Sequence, residues 1–293
     1  MNAQAAASVA LKPKDYKSDV HPTWCPGCGD FGVLSALYQA MAQLGLDLYK
    51  TVVVSGIGCS SRLPFFVKTY GFHGCHGRAL PAALGIKVAR PDLSVIVTGG
   101  DGDGFSIGAG HVPHVARKNI DITYVVMNNR IYGLTKGQVS PTSSLGFVAT
   151  TTPFGSQEEP VDPVAFSIIY GATFVARGFS AERNHLADLI ARGVRHKGFS
   201  IIDVVSPCPV FNKDDTYDYY KPLVKKIDAT HDPSHKGRAL ELAMSTNTDG
   251  KVPIGVYYEV QAPTLGDRLE ALKKAHKGSD TPDLDAVLDT FRV

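Results

Sequence analysis

The chain has 293 residues, 44% hydrophobic and 20% charged, and 30 Lys and Arg against 28 Asp and Glu give a formal net charge of +2. This composition is ordinary for a globular protein and excludes wholesale disorder. The near-neutral charge argues against a dedicated nucleic-acid-binding protein, and no apolar run approaches the roughly 18 residues that cross a bilayer. We therefore expect neither nucleic acid nor a membrane as a partner.

The first 20 residues contain a short apolar stretch without the basic segment that precedes it in a signal peptide. We interpret residues 1–20 as a mobile N-terminal extension and expect a cytoplasmic protein. In a reducing compartment, the five cysteines favour metal binding or catalysis over disulfides. We expect one main domain over 21–212 and an irregular C-terminal extension over 213–293 that makes contacts between subunits.

Helical spacing of apolar residues predicts a first helix over 30–44, with Asp30 as its N-cap and Gly45 as its C-terminal stop. Short β-branched runs then alternate with helical patterns. The predicted strands are 51–55, 93–98, 122–127, 173–176 and 200–205, and the further predicted helices are 79–90, 106–117, 163–170 and 181–196. A loop rich in Ser, Thr, Gly and Pro covers 139–161, and some order is expected over 252–260. The alternation predicts an α/β fold, a mostly parallel sheet with helices on both faces.

Four conspicuous loops begin where predicted strands end. They are GIGCSSR over 56–62, GGDGDG over 99–104, NNRIYGL over 128–134 and SPCPVF over 206–211. Parallel sheets bind ligands at the carboxyl ends of their strands, so these loops are expected to share one edge and form one composite site.

Two of these loops offer oxygen ligands on neighbouring strand ends. Mg²⁺ prefers octahedral oxygen coordination with few protein groups plus phosphates. The Asp101 carboxylate, the Asn129 amide oxygen and the Ile131 carbonyl are candidate ligands. The alternatives are a plain turn or a calcium loop, and the calcium pattern is disfavoured because Phe105 and Val112 occupy two ligand positions. The GDG and NN pair resembles the motif of thiamine-diphosphate enzymes, which implies that these three residues bind magnesium.

Cys25 and Cys28 stand two residues apart in WCPGCG, a spacing that suits zinc, a redox dithiol or an iron–sulfur cluster. Thioredoxin-like dithiols follow an apolar strand, whereas a polar segment precedes this pair. Cys59 and Cys208 lie on loops of the same predicted edge, so four converging cysteines favour a 4Fe-4S cluster or structural zinc. Cys75 is interpreted as a small buried hydrophobic residue.

Together, WCPGCGDFG, GIGCS, HGRA, GDGD, NNRIYGLTKGQ and SPCPVFN closely resemble the β subunit of two-subunit 2-oxoacid:ferredoxin oxidoreductases of the 2-oxoglutarate type. The resemblance implies a thiamine-diphosphate-binding fold and a 4Fe-4S cluster held by Cys25, Cys28, Cys59 and Cys208. The residues that it places against thiamine diphosphate are Ile57, Gly58, Cys59, Ser60, His76, Gly77, Arg78, Ala79, Gly102, Asp103, Gly133 and Leu134.

The resemblance also implies partners and a reaction. An α subunit supplies the glutamate that activates the thiamine, coenzyme A collects the acyl group, and ferredoxin receives electrons through the cluster. The same route run in reverse fixes CO2. Rival interpretations are a thiamine-dependent decarboxylase or synthase with structural zinc, and a non-catalytic dithiol carrier.

The substrate is inferred from two residues. Arg62 follows Cys59 by three residues, and a guanidinium binds a carboxylate through two hydrogen bonds, which favours a dicarboxylic acid such as 2-oxoglutarate. Leu134 is expected to flank the substrate. The alternatives are that Arg62 forms a structural ion pair or contacts the α subunit, with pyruvate as substrate.

Overall fold

The computed structural model describes residues 11–276 and 283–292, without the side chains of 246–249 and 276. Its strands are β1 Thr51–Ser55, β2 Tyr70–His73, β3 Ser94–Gly100, β4 Ile122–Asn128, β5 Phe174–Phe179, β6 Phe199–Val205, β7 Val224–Lys226 and β8 Val252–Glu259. Its α-helices are α1 Asp30–Leu44, α2 Ala79–Ala89, α3 His111–Lys118, α4 Pro163–Ile169, α5 Arg183–Arg195, α6 Tyr217–Tyr220, α7 Lys236–Asp249, α8 Leu265–His276 and α9 Leu284–Asp289.

The eight strands form one sheet in the order β2-β1-β3-β4-β6-β5-β8-β7. The first six run parallel, whereas β8 is antiparallel to β5 and carries β7 parallel to itself. The mostly parallel α/β sheet is therefore confirmed. Its central strands β1 and β6 are buried along their whole length, as expected for strands covered on both faces.

Alternate residues of the strands point to two apolar layers. Helices α2, α3, α4 and α7 pack on one layer, and α1 and α5 pack on the other. Helix α1 ends at Gly45, whose φ of 60° is the left-handed conformation that closes a helix, as the sequence predicts.

The predicted helix over 106–117 is wrong in its first half. A single π-helical turn, Asp103–Ile107, comes first, and the backbone of Ser106 is not helical. Gly108 and Gly110 then precede α3. Glycine stabilises a helix poorly, so the segment turns before the helix begins.

Both predicted extensions make contacts with the rest of the fold. Residues 1–10 lie outside the described residues; in the remainder of the first 20, Tyr16 is fully buried and its hydroxyl donates to the Leu46 carbonyl, and the mobility of the segment stays a prediction. An irregular extension is wrong for much of 213–293, because β7 and β8 join the sheet. The sheet thus crosses the predicted boundary at residue 212.

No helix in the described ranges has both the length and the apolarity that a bilayer span requires.

Candidate functional site

A cavity of about 260 Å³ opens at the carboxyl ends of β1, β3 and β4. Its walls come from the loops after these strands and from the segment before α2. The lining residues are Ile57, Gly58, Cys59, Ser60, His76, Gly100, Asp101, Gly102, Asp103, Asn129, Ile131, Tyr132, Gly133, Leu134 and Thr135. The structure therefore brings together three of the four conspicuous loops around one space.

Asp101 is a buried carboxylate in this wall. Its Oδ1 accepts from the Asn129 backbone N–H at 3.3 Å, and its Oδ2 accepts from Thr142 Oγ1 at 2.7 Å. Burial raises the pKa of Asp101, because an unneutralised carboxylate is poorly solvated there. A cation bound beside it would offset that penalty, which fits a magnesium site.

The turn after β4 contains the other two oxygen candidates. Asn129 Oδ1 accepts from the Ile131 backbone N–H at 3.1 Å, and Arg130 between them has a φ of 56°. A side chain other than glycine rarely occupies this left-handed region, so the surroundings must hold Arg130 there. The turn keeps Asn129 and Ile131 both in the cavity wall.

Asp103 joins three loops beneath the cavity. Its Oδ1 accepts from the backbone N–H groups of Ile57 and Gly77, at 2.9 and 2.7 Å, and from His76 Nδ1 at 2.9 Å. A Cβ atom on Gly56 would lie 2.2 Å from Asp103 Oδ2, so only glycine permits this approach. Because Nδ1 of His76 is engaged, the ring nitrogen Nε2 is the one left for a ligand.

Backbone atoms also approach the cavity closely. A Cβ atom on Gly102 would lie 2.3 Å from the ring of Tyr132, whose hydroxyl donates to the Gly102 carbonyl at 3.1 Å. Only glycine at position 102 permits this approach of the Tyr132 ring, and both residues line the cavity.

Three of the predicted cofactor contacts are not among the residues that line the cavity. Gly77 gives its N–H to Asp103, Arg78 lies beside His111 Nε2 at 2.9 Å, and Ala79 is buried at the start of α2. Their assignment to the cofactor stays a prediction.

Four of the five cysteines meet at the same edge. A Cβ atom on Gly133 would lie 3.7 Å from Cys208 Sγ and 3.8 Å from Cys59 Sγ. The turn of Cys25 and Cys28 is held there because the Gly29 N–H donates to the Pro207 carbonyl at 3.0 Å. Cys75 is exposed, contrary to its interpretation as a buried residue.

Two of these thiols, Cys28 and Cys59, lie in surroundings that favour their neutral form. Burial is the main cause that raises the pKa of Cys28, and burial raises the pKa of Cys59 to about 11. The negative charge of Asp30 and mutual repulsion with Cys208 add to both shifts. Thiolates are therefore stable here only with a cationic centre that displaces their protons.

A zinc ion and a 4Fe-4S cluster require different distances between the sulfur atoms of their cysteine ligands. Within 11–276 and 283–292, no group of three or more His, Cys, Asp or Glu side chains converges as a single metal ion requires. Tetrahedral zinc, with Zn–S bonds of about 2.3 Å, would draw the sulfur atoms to about 3.8 Å from one another. In a 4Fe-4S cluster each thiolate binds a different iron atom, so that centre does not require the sulfur atoms to converge on one ion.

The two substrate candidates differ in position. Leu134 lines the cavity and is half exposed. Arg62 lies outside the lining, and its Nη1 donates to Thr23 Oγ1 at 2.8 Å.

Several residues of the site escaped the sequence interpretation. Thr142 and Asp215 lie outside the quoted motifs, and Arg130 and Tyr132 lie inside one without an assigned role. The available signal was that Arg130 stands between two proposed ligands, whereas nothing local marks Thr142 or Asp215.

Two family matches cover most of the chain. Residues 56–204 match the thiamine pyrophosphate enzyme C-terminal TPP-binding domain. Residues 208–274 match the family formed by the C-terminal part of the pyruvate ferredoxin oxidoreductase β chain.

Individual proteins agree with the family matches. The β subunit of the 2-oxoacid:ferredoxin oxidoreductase from Saccharolobus solfataricus is 45% identical over 92% of this chain and 96% of its own length. The 2-oxoglutarate oxidoreductase subunit KorB of Mycobacterium tuberculosis is 47% identical over 71% of this chain and 55% of its own. A solved 2-oxoglutarate:ferredoxin oxidoreductase from Magnetococcus marinus, with 2-oxoglutarate, coenzyme A and succinyl-CoA bound, superposes with a TM-score of 0.92. It is 50% identical and covers 97% of each chain.

Proposed function

Because this chain belongs to the β subunits of 2-oxoacid:ferredoxin oxidoreductases, we propose that it serves the coenzyme A-dependent oxidative decarboxylation of 2-oxoglutarate. The products are succinyl-CoA, CO2 and two electrons that pass singly through a 4Fe-4S cluster to ferredoxin. With a strong reductant the same route runs in reverse and fixes CO2. The observation that carries the proposal is the double position of Cys59, in the cavity wall and among the four cysteines.

Thiamine diphosphate, when bound, supplies the electron sink for decarboxylation. The chain's own part is to hold it. Asp101, Asn129 and the Ile131 carbonyl would hold Mg²⁺, and Asp103 fixes the loops that carry Ile57 and His76. Burial raises the pKa of the Asp101 carboxyl, and a bound cation would offset the cost of its charge, which supports this assignment.

The catalytic glutamate belongs to the α subunit. Among the described residues, none of those lining the cavity is a glutamate. Thiamine enzymes need such a group to activate the aminopyrimidine, so the chain alone is incomplete. We expect negligible turnover by the β subunit without its partner.

The substrate assignment draws on the relatives and on Arg62. Two of the relatives are named for 2-oxoglutarate. One N–H of the Arg62 guanidinium donates to Thr23, and we assign its other N–H groups to the distal carboxylate of the substrate.

The test is an assay of the reconstituted αβ complex with 2-oxoglutarate or pyruvate and ferredoxin as acceptor. Arg62→Met should raise the KM for 2-oxoglutarate about tenfold and leave that for pyruvate near its native value. Arg90→Met is the matched control, because Arg90 pairs with Asp92 before β3, at the amino ends of the strands and away from the cavity.

Three results would contradict the proposal. The first is an equal effect of Arg62→Met on both substrates, which removes the role of Arg62. The second is full activity of the β subunit alone, which removes the shared site. The third is zinc in place of iron and sulfide in the purified complex, which removes the electron route.

A further inference from the structure

Thr142 is a buried side chain on the irregular loop 139–161, directly behind the cavity. Its Oγ1 lies 2.7 Å from Asp101 Oδ2, 2.9 Å from Asn128 Oδ1 and 3.3 Å from Ser140 Oγ, a hydroxyl that can itself donate. The Thr142 hydroxyl has one proton to donate, so only one of the two oxygens of Asp101 and Asn128 can receive it.

The neighbours decide which one. Asn128 Nδ2 donates to Asp203 Oδ1 at 3.0 Å, which orients the amide and leaves Asn128 Oδ1 facing Thr142. That oxygen already accepts from the Arg130 backbone N–H at 3.3 Å. Asp101 is the charged acceptor at the shorter distance, and charged acceptors form the stronger hydrogen bonds. The Thr142 proton therefore goes to Asp101.

Thr142 also touches the second ligand segment. Its backbone carbonyl accepts from Arg130 Nε at 2.8 Å, and the same guanidinium donates to Ser144 Oγ at 2.6 Å and to Asp215 Oδ1 at 3.2 Å. These bonds explain how Arg130 stays in its left-handed conformation between Asn129 and Ile131. One residue thus connects the Asp101 carboxylate, through its hydroxyl, to the Asn129 turn, through its carbonyl.

We propose that Thr142 is a positioning residue of the magnesium site, which fixes the Asp101 carboxylate so that its other oxygen faces the cation. This inference rests on the proposed function, because it concerns the same magnesium and diphosphate. Thr142 itself does not line the cavity and needs no contact with either group. Its loss should weaken the binding of magnesium and of the diphosphate that magnesium holds.

The test uses the complete αβ complex after removal of magnesium and thiamine diphosphate by chelation and dialysis. Calorimetric titration with thiamine diphosphate at a series of Mg²⁺ concentrations gives the half-saturating Mg²⁺. Thr142→Val, which replaces the hydroxyl by a methyl group of similar size, should raise it about tenfold or more. Thr142→Ser, which keeps the hydroxyl, should stay within about twofold of the native value. The visible absorption of the cluster should not change in either variant.

Thr152→Val is the matched control, since Thr152 lies on the same loop and its hydroxyl donates to the Phe147 carbonyl at 3.4 Å, away from the Asp101 carboxylate. Thr142→Ala removes the hydroxyl without a branched side chain, so it carries the same comparison if the valine variant does not assemble. Equal weakening by Ser, Ala and Val would assign Thr142 to packing and overturn the inference. Native Mg²⁺ dependence in Thr142→Val and Thr142→Ala would overturn it too. A native complex that binds no thiamine diphosphate would instead defeat the proposed function.

Discussion

The two ends of the same parallel strands use buried polar side chains in opposite ways. Before β4, Asn119 uses its whole amide. Its Nδ2 donates to the carbonyls of Ala262 and Pro263, and its Oδ1 accepts from Thr173 Oγ1 and from the Phe199 N–H. These hydrogen bonds satisfy the Asn119 amide and connect the amino end of β4 to the neighbouring segments.

At the carboxyl ends, buried oxygen atoms stay without partners. Asp103 Oδ2 beside the cavity and Asp30 Oδ2 beside the cysteines have none in the described structure. Burial raises the pKa of Asp30 to about 6. Unsatisfied buried groups lower stability, and the positions of these two carboxylates, beside the cavity and beside the cysteines, fit a place where ligands bind. Matched substitutions at the two ends test whether ligand binding depends on one end and stability on the other.

The largest effect is expected for Asp101→Asn. The amide removes the charge that opposes Mg²⁺, and the activity of the αβ complex should fall at least about 10³-fold. The measurement is kcat/KM with thiamine diphosphate and Mg²⁺ at native saturation. Asp121→Asn makes the same chemical change at the amino end, where Asp121 pairs with Lys87, and should leave kcat/KM near native. More than a tenth of native activity in Asp101→Asn would contradict the magnesium assignment.

The next effect falls on stability alone. Asn119→Ala removes the side-chain partner of two carbonyls and of the Phe199 N–H, and it places alanine at a φ of 47°, which asparagine tolerates better. We expect a loss of about 3 kcal/mol, read as a drop of several degrees in the melting temperature. Below the transition, kcat/KM should not change. Asn184→Ala, an exposed amide, is the control. A change in the Mg²⁺ requirement would show that the two ends are not independent.

A smaller effect is expected for Asp215→Asn. The substitution weakens the ion pair with Arg130, which holds the Asn129 turn, while the amide still packs beside Asn212. Half-saturating Mg²⁺ should rise by about three- to tenfold. Asp214→Asn changes the exposed neighbour and serves as the control. If both variants shift the Mg²⁺ requirement equally, the pair does not position the turn.

The smallest effect concerns pH at the amino end. His196 Nε2 lies 2.8 Å from Thr173 Oγ1, and Gln261 Nε2 lies 3.5 Å from the other ring nitrogen. Burial lowers the pKa of His196, and the positive charge of Arg192 lowers it further, whereas Glu259 and Asp121 oppose the shift. The unfolded chain therefore takes up the proton first. This contribution to stability is present above about pH 6.5 and is lost as the pH falls below it.

The measurement is the melting temperature between pH 7.5 and 5.5 in native and His196→Gln complexes. His111 and His185, whose pKa values burial also lowers, contribute to both slopes, so the difference between the slopes reports His196. We expect the variant to melt lower throughout but with a shallower acid slope. Parallel slopes would exclude His196.

Strands that are buried on both faces were predictable, because a short apolar β-branched run favours a strand over a helix or a loop. Thr51–Ser55 is a β-branched run that is buried on both faces, and the observed strand has the predicted bounds. Helix α1 likewise ends before Gly45 as predicted, but the prediction of Asp30 as N-cap is wrong, because Asp30 is the first helical residue and Gly29 is the N-cap. Local pattern and tertiary burial agree in both.

The misses occur where distant partners decide. Strand β2, Tyr70–His73, is a four-residue edge strand whose residues are all exposed, so no buried run marks it in the sequence. Strand β5 continues past its predicted end because Arg177, polar in sequence, is buried against Asp162 and Asp203. Thr142 acquires its role only from the carboxylate that the fold places beside it. Such partners are far apart in the chain, so no local signal announces them.

The late strand β8, Val252–Glu259, has a consequence for synthesis on the ribosome. It pairs along β5, whose other edge is covered by β6, and all six residues of β5 are buried in the finished protein. Until residues 252–259 leave the exit tunnel, the growing chain presents an open apolar edge to its neighbours. Aggregation during translation is therefore most damaging late, and shortened chains that stop before this strand are expected to accumulate in inclusion bodies.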